Sequence, residues 1–133
     1  MPELHGFSHV SLSVRDRENN ARWYGKVFGF EAFDRLTEEH FDEIIMVHPA
    51  TGMVLCLQQH HTNQGEPADP SRTGADHIAF RVANRAELDQ WAQHLAVLGV
   101  QHSPIADRNY GAVLCLRDPD EFQLELFYRE NHP

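Results

Sequence analysis

The stretch Ser8-His9-Val10-Ser11-Leu12-Ser13-Val14 decides the fold, because it returns in altered form as Asp76-His77-Ile78-Ala79-Phe80-Arg81-Val82. His9 and His77 stand 68 positions apart, and so do Trp23 and Trp91, each in a stretch of helical pattern that closes on glycine, Gly29 or Gly99. The ends of the two halves also match: residues 49–57 read PATGMVLCL and residues 119–126 read PDEFQLEL, which sets Cys56 opposite Glu125. Several matches in one order are the signature of an internal repeat, and a repeat fixes the architecture before any single element is assigned.

Each half carries the same sequence of elements. Residues 7–14 alternate apolar and polar, as a half-buried strand does. Asp16 is placed to cap a helix of about 12 residues, with Trp23, Tyr24, Val27 and Phe28 on one face and Gly29 as its stop. Gly25 weakens that helix by about 1 kcal/mol, so packing has to support it. Strands are expected near 31–36, 43–48 and 53–59. The second half predicts a strand at 77–82 and a helix over 85–98. Asn84 is its cap, Glu87 the partner in a capping-box pair, and Leu88, Trp91, Leu95 and Leu98 its buried stripe. Strands near 100–105, 111–117 and 122–128 complete it. The polar, Pro- and Gly-rich residues 61–74 join the halves. The expected fold is therefore α+β, two tandem βαβββ modules (about 6–60 and 75–129) within one domain of 133 residues.

Composition agrees with a folded domain. Hydrophobic residues make up 41% of the chain and charged residues 23%, enough apolar material for a core. No apolar run exceeds five residues, far below the roughly 20 of a membrane helix. The start, Met1-Pro2-Glu3-Leu4-His5, lacks the pattern of a signal peptide, and two cysteines in apolar runs suit reduced thiols in the cytoplasm. Lys and Arg number 11 against 20 Asp and Glu, a net charge of −9 without any basic run, which disfavours nucleic-acid and anionic-membrane partners.

Parity along the strands separates a helix-covered face from a polar one. Val10, Leu12, Val14, Ile78, Phe80 and Val82 take the first. The second collects His9 and Ser11, Cys56 and Gln58, His77 and Arg81, then Glu125 and Phe127. An inward His on a strand is most often a hydrogen-bonded structural residue, and a Glu on a terminal strand is most often solvated. The repeat lifts His9, His77 and Glu125 above that background, because two neutral imidazoles and a carboxylate suit a divalent ion and leave positions open for a substrate. Ser11, Cys56, Gln58, Arg81, Cys115 and Phe127 are the expected pocket lining. Arg81, Arg117 and Tyr110 are the candidates to hold an anionic or phenolic substrate. Cys56 and Cys115 have no sequence-evident base and read first as packing residues.

The order HVSLSVRD…WYGKVFGF, DHIAFRV, DPDEFQLELF resembles the vicinal oxygen chelate superfamily of glyoxalase I, extradiol dioxygenases and the fosfomycin- and bleomycin-resistance proteins, from about Phe7 to Phe127. The resemblance implies a cupped mixed sheet with helices outside, and frequent completion by a homodimer. It also implies a divalent metal at His9, His77 and Glu125, with Fe2+ favoured and Mn2+, Ni2+, Co2+ or Zn2+ as alternatives. Glu125 and Tyr110 are then the candidate catalytic residues, acting on a small oxygen-chelating organic substrate.

Departures from the family narrow the reaction. The fourth ligand of glyoxalase I is replaced by Cys56, with Gln58 the nearby oxygen donor. The extradiol Tyr and acid–base His positions hold Cys115 and Ala106-Asp107-Arg108, and the Gly that usually follows the Asp-Pro-Asp turn is Glu121. A phosphonate loop is not supported, because Lys26 is the only lysine. A dioxygenase-like enzyme is the leading reading, with a glyoxalase-type lyase or isomerase and a non-catalytic drug- or metabolite-binding protein as alternatives.

Overall fold

The computed structural model describes residues 1–132. The chain divides into two compact units, Met1–Glu66 and a second that begins at Pro67, and each is a four-stranded mixed sheet with one long helix. In the first unit the elements are β1 (Val10–Ser13), α1 (Arg17–Phe28), β2 (Glu31–Thr37), β3 (Phe41–Val47) and β4 (Val54–His60), with sheet order β1-β4-β3-β2. The second unit repeats this as β5 (His77–Arg81), α2 (Arg85–Val97), β6 (Ala106–Arg108), β7 (Gly111–Arg117) and β8 (Gln123–Arg129), ordered β5-β8-β7-β6. The βαβββ repeat is therefore present in both halves. No helix among the described residues is long and apolar enough to cross a membrane.

The register confirms the repeat residue by residue. β1 runs parallel to β4 with Ser11 beside Cys56, and β5 runs parallel to β8 with Ala79 beside Glu125. The remaining pairs are antiparallel, setting Ile45 beside Cys56 in one unit and Cys115 beside Glu125 in the other. Since alternate side chains leave opposite faces, one sheet face in each unit carries the apolar core. Leu12, Ile44, Leu55 and Leu57 are buried on the first, and Ala112, Leu114, Leu124 and Leu126 on the second.

Helix α1 begins where its sequence requires. The Asp16 carboxylate accepts the Asn19 amide at 2.9 Å, and Gly29 ends the helix at φ 81, a left-handed position suited to glycine. Gly25 has a packing reason inside the helix: a Cβ there would lie 3.1 Å from the Phe30 carbonyl as the chain folds back. Tyr24 is fully buried and stacks on Phe28 at 6.1 Å, while Trp23 is only half-buried. In α2, Asn84 Oδ1 accepts the Glu87 amide, and the Glu87 carboxylate accepts the Ala83 amide rather than that of the cap itself. Leu88 and Leu95 are buried, but Trp91 and Leu98 are half-buried, so the stripe is narrower than its periodicity suggests.

Two strands differ from expectation. β1 begins at Val10 rather than residue 7, so His9 lies one residue ahead of the ladder. Residues 100–105 do not form a strand, and the short β6 starts at Ala106. Pro104 has no amide to donate, and the Ser103 hydroxyl accepts the Cys115 amide at 2.9 Å in place of a backbone partner. Only an isolated bridge, His102 with Leu116, remains of the expected pairing.

Candidate functional site

The second unit concentrates the metal-ligating chemistry. Parallel pairing of β5 with β8 brings the first side chain of β5, His77, to the same face as Glu125, and His77 Nε2 lies 3.6 Å from Glu125 Oε2. At that distance the two atoms do not share a good hydrogen bond. The other ring nitrogen, Nδ1, is 2.7 Å from Asp76 Oδ1. A carboxylate only accepts, so Nδ1 carries the proton and neutral His77 presents its Nε2 lone pair toward Glu125. A second proton on the ring, which the neighbouring carboxylates favour, or a metal ion relieves the repulsion between these two acceptors. Donors each about 2.1 Å from one ion stand 3.6 Å apart at a ligand–metal–ligand angle of roughly 120°, so the pair fits a divalent metal.

Further contacts orient Glu125. Its Oε1 accepts from Gln123 Nε2 at 3.0 Å and from the Cys115 thiol at 3.8 Å, which leaves Oε2 toward His77. The hydrogen bond to Asp76 pushes the His77 pKa upward against its partial desolvation, and the charges of Glu125 and Asp76 push the same way. Burial raises the Cys115 pKa, with the Glu125 charge and hydrogen bond adding to it, so this residue is a thiol at neutral pH.

Other predicted residues of this unit share the face. Arg81 pairs in register with Phe127, and Phe127 stacks on Tyr110 with ring centroids 5.7 Å apart and planes 16° from parallel. Tyr110 sits in the two-residue turn between β6 and β7, and 39% of it is exposed. Arg117 is already engaged: its Nη1 donates to the Glu121 carbonyl at 2.9 Å, within the turn ahead of β8. In that turn Glu121 adopts φ 65, a left-handed conformation that favours glycine.

The first unit supplies a different set. His9 is exposed, and its Nδ1 lies 3.1 Å from the Ser8 hydroxyl. Ser11, Cys56 and Gln58 share one face through the β1–β4 register. They are joined by a carboxylate that the sequence reading missed, Glu43 on β3, which is buried and accepts from Gln58 Nε2 at 2.8 Å. Gln58 is thus committed to Glu43. Burial raises the Cys56 pKa, the Glu43 charge raises it further, and a hydrogen bond with Ser11 only partly opposes this. Parity would have found Glu43, since it sits opposite Gln58 in an antiparallel pair and alternates with buried Ile44 and Met46. Within either unit taken alone, no three His, Cys, Asp or Glu side chains gather as a ligand set among the described residues.

The comparisons with known proteins agree with the fold. The family model described as Glyoxalase/Bleomycin resistance protein/Dioxygenase superfamily matches residues 6–126. Among solved structures, a glyoxylase/bleomycin resistance protein/dioxygenase domain from Frankia sp. EAN1pec is 30% identical with TM-score 0.89, covering 96% of this chain and 100% of that one. A mutant of the fosfomycin resistance protein FosX from Listeria monocytogenes, solved with Mn(II) and 1S,2S-dihydroxypropylphosphonic acid, is 22% identical. Its TM-score is 0.72, with 97% of this chain and 95% of that chain covered, a likeness of fold. A curated relative, the manganese-dependent 2,3-dihydroxybiphenyl 1,2-dioxygenase of Geobacillus genomosp. 3, is 24% identical over 134 residues. That match takes in 98% of this chain but only 39% of the relative's length.

Proposed function

The chain belongs to the Glyoxalase/Bleomycin resistance protein/Dioxygenase superfamily, and on that premise we propose that it is a metal-dependent enzyme acting on a small organic substrate that chelates the ion through adjacent oxygens. The observation that carries this reading is the His77–Glu125 pair, whose facing atoms lie 3.6 Å apart while Asp76 engages the other ring nitrogen. His77 and Glu125 are two of the ligands. The third, His9, comes from the same chain or from a second copy of it. Mn2+ and Fe2+ are the ions to test first, because manganese is named for both the Geobacillus dioxygenase and the FosX complex.

When bound, the ion supplies Lewis-acid stabilisation of developing negative charge on a substrate oxygen, or a place for O2 beside the substrate. The chain's own residues do the remainder. Asp76 holds the His77 proton at Nδ1 and keeps Nε2 as a donor atom. Gln123 and Cys115 fix one Glu125 oxygen and so orient the other. Tyr110 and Phe127 offer a flat apolar wall two residues along β8 from Glu125. Ser11, Cys56 and Gln58 are proposed as substrate-pocket residues on the polar sheet face of the first unit.

A dioxygenase-like reaction is favoured over a glyoxalase-type lyase or isomerase, because Cys56, a raised-pKa thiol, stands where glyoxalase I has its fourth ligand. The competing class is a protein that sequesters a drug or metabolite without turnover and has no use for a metal. The protein is also proposed to be a cytoplasmic homodimer. Each sheet has two edge strands, a liability that association removes, and light scattering tests it directly.

The deciding experiment is metal analysis of protein purified without chelators, followed by anaerobic reconstitution with Mn2+ or Fe2+ and an oxygen-uptake screen over catechols. Uptake that needs the reconstituted ion supports a dioxygenase. One equivalent of ion with no uptake moves the reading to lyase or isomerase. Absence of any metal affinity favours the sequestering protein.

A further inference from the structure

Two arginines of the second unit stand out in an acidic protein. The chain carries a net charge of −9, and most arginines find acceptors: Arg35 pairs with Glu18, Arg72 with Asp69, and Arg85 with both Asp89 and Asp107. Arg81 and Arg129 have no carboxylate partner among the described residues. Both lie on the face of the sheet that carries Glu125, since Arg81 is in register with Phe127 and Arg129 follows Phe127 by two residues on β8. The Arg129 guanidinium sits over the Tyr110 ring, 5.9 Å from its centroid, and that ring is stacked on Phe127.

The aromatic pair is held rigidly. Arg108 and Gly111 pair across the β6–β7 hairpin, so Asn109 and Tyr110 form a two-residue turn. The Tyr110 carbonyl accepts the Glu130 amide at 3.1 Å, which ties the turn to the end of β8. Position 111 admits only glycine, because a Cβ there would run into the Tyr128 carbonyl. A preordered ring therefore needs little ordering on binding.

The geometry points to a recognition subsite for an aromatic acid, a planar aryl group carrying a carboxylate or similar anion. The ring packs on the Tyr110–Phe127 pair and the anion is taken by Arg81 and Arg129. Alternate residues of a strand are about 7 Å apart, so Arg129 lies roughly 13 Å along β8 from Glu125. A ligand occupying both places has its anion at the end remote from its chelating oxygens. This deepens the proposed function and rests on it only for the placement of those oxygens, because the ring and anion contacts do not involve a metal.

The test is calorimetry on the full chain with three probes: 2-naphthoate, its neutral analogue 2-naphthamide, and its saturated analogue decahydro-2-naphthoate. Each is measured on chelator-treated and on Mn2+-loaded protein. We expect 2-naphthoate to bind at least about tenfold more tightly than either analogue in both preparations. R129A and R81A should each erase most of the preference for acid over amide. Y110A should erase the preference for the aryl ring, whereas Y110F, which keeps the ring, should retain it. Equal affinity for acid and amide, no measurable binding of 2-naphthoate, or indifference to R129A and Y110A overturns the subsite. If Mn2+ does not bind but the 2-naphthoate preference persists, the metal reading fails and the subsite stands. Mn2+ uptake without that preference gives the reverse.

Discussion

Replacing Glu121 by glycine should stabilise the protein. Glu121 sits at φ 65 in the turn between β7 and β8, a left-handed conformation in which an L side chain costs about 1–2 kcal/mol. The contacts there are made by the main chain and survive substitution: the Glu121 amide donates to the Asp118 carbonyl at 3.0 Å, and its carbonyl accepts from Arg117. Asp118 holds the rest of the turn by accepting the amides of Asp120 and Phe122 at 2.8 and 3.0 Å. Against the relief of strain stands the extra freedom of glycine in the unfolded chain, about 0.5–1 kcal/mol. The net gain for E121G is therefore about 0.5–1 kcal/mol, read as a rise in Tm of roughly 2–5 °C. Urea melts with an unchanged slope would assign the gain to stability alone. A fall in stability would refute the reasoning and assign the Glu121 carboxylate a stabilising contact.

Three further outcomes are expected. G111A should lose about 1–3 kcal/mol in urea melts, because the added methyl meets the Tyr128 backbone and not a movable side chain; an unchanged melt would contradict the tight hairpin. In metal-free protein the His77 ring should titrate above 6.5 by NMR, and D76N should lower its midpoint. The sign follows from the raised pKa: the protonated ring's contribution to stability is complete below about pH 6.5 and fades as pH climbs through the folded value, while metal binding strengthens over the same rise. Both thiols should alkylate more slowly at pH 7.5 than a free cysteine, since burial raises both pKa values, and E43Q should speed Cys56 alone.

Much of this molecule was legible in its sequence, for reasons that can be given element by element. Asp16 and Gly29 bound α1 because capping and left-handed termination are local events with local signatures. The repeat of His9 at His77 carried the topology, because equivalent positions in two copies must satisfy equivalent registers, as Ser11–Cys56 and Ala79–Glu125 do. Residues 100–105 misled because their apolar alternation is interrupted by Pro104, and the Ser103 hydroxyl substitutes for a ladder bond that no periodicity reveals. Trp91 was placed in a buried stripe by spacing alone, although the width of a stripe depends on what lies across from it. Glu43 is signalled by its alternation with Ile44 and Met46, but its pairing with Gln58 is set by the register between β3 and β4. The hydrogen bond between the His77 ring and Asp76 is a matter of side-chain geometry that no sequence pattern encodes.

The most direct test of the central claim is Mn2+ affinity, measured by calorimetry or electron paramagnetic resonance on the wild type and on H9A, H77A, E125A and C56A. A three-ligand site loses much of its chelate advantage with any one donor removed. The account predicts that the first three variants lose affinity by orders of magnitude while their melts stay close to wild type, and that C56A binds as the wild type does. Full occupancy in H77A or E125A would contradict the account, because the ion would then be held without the facing His77–Glu125 pair.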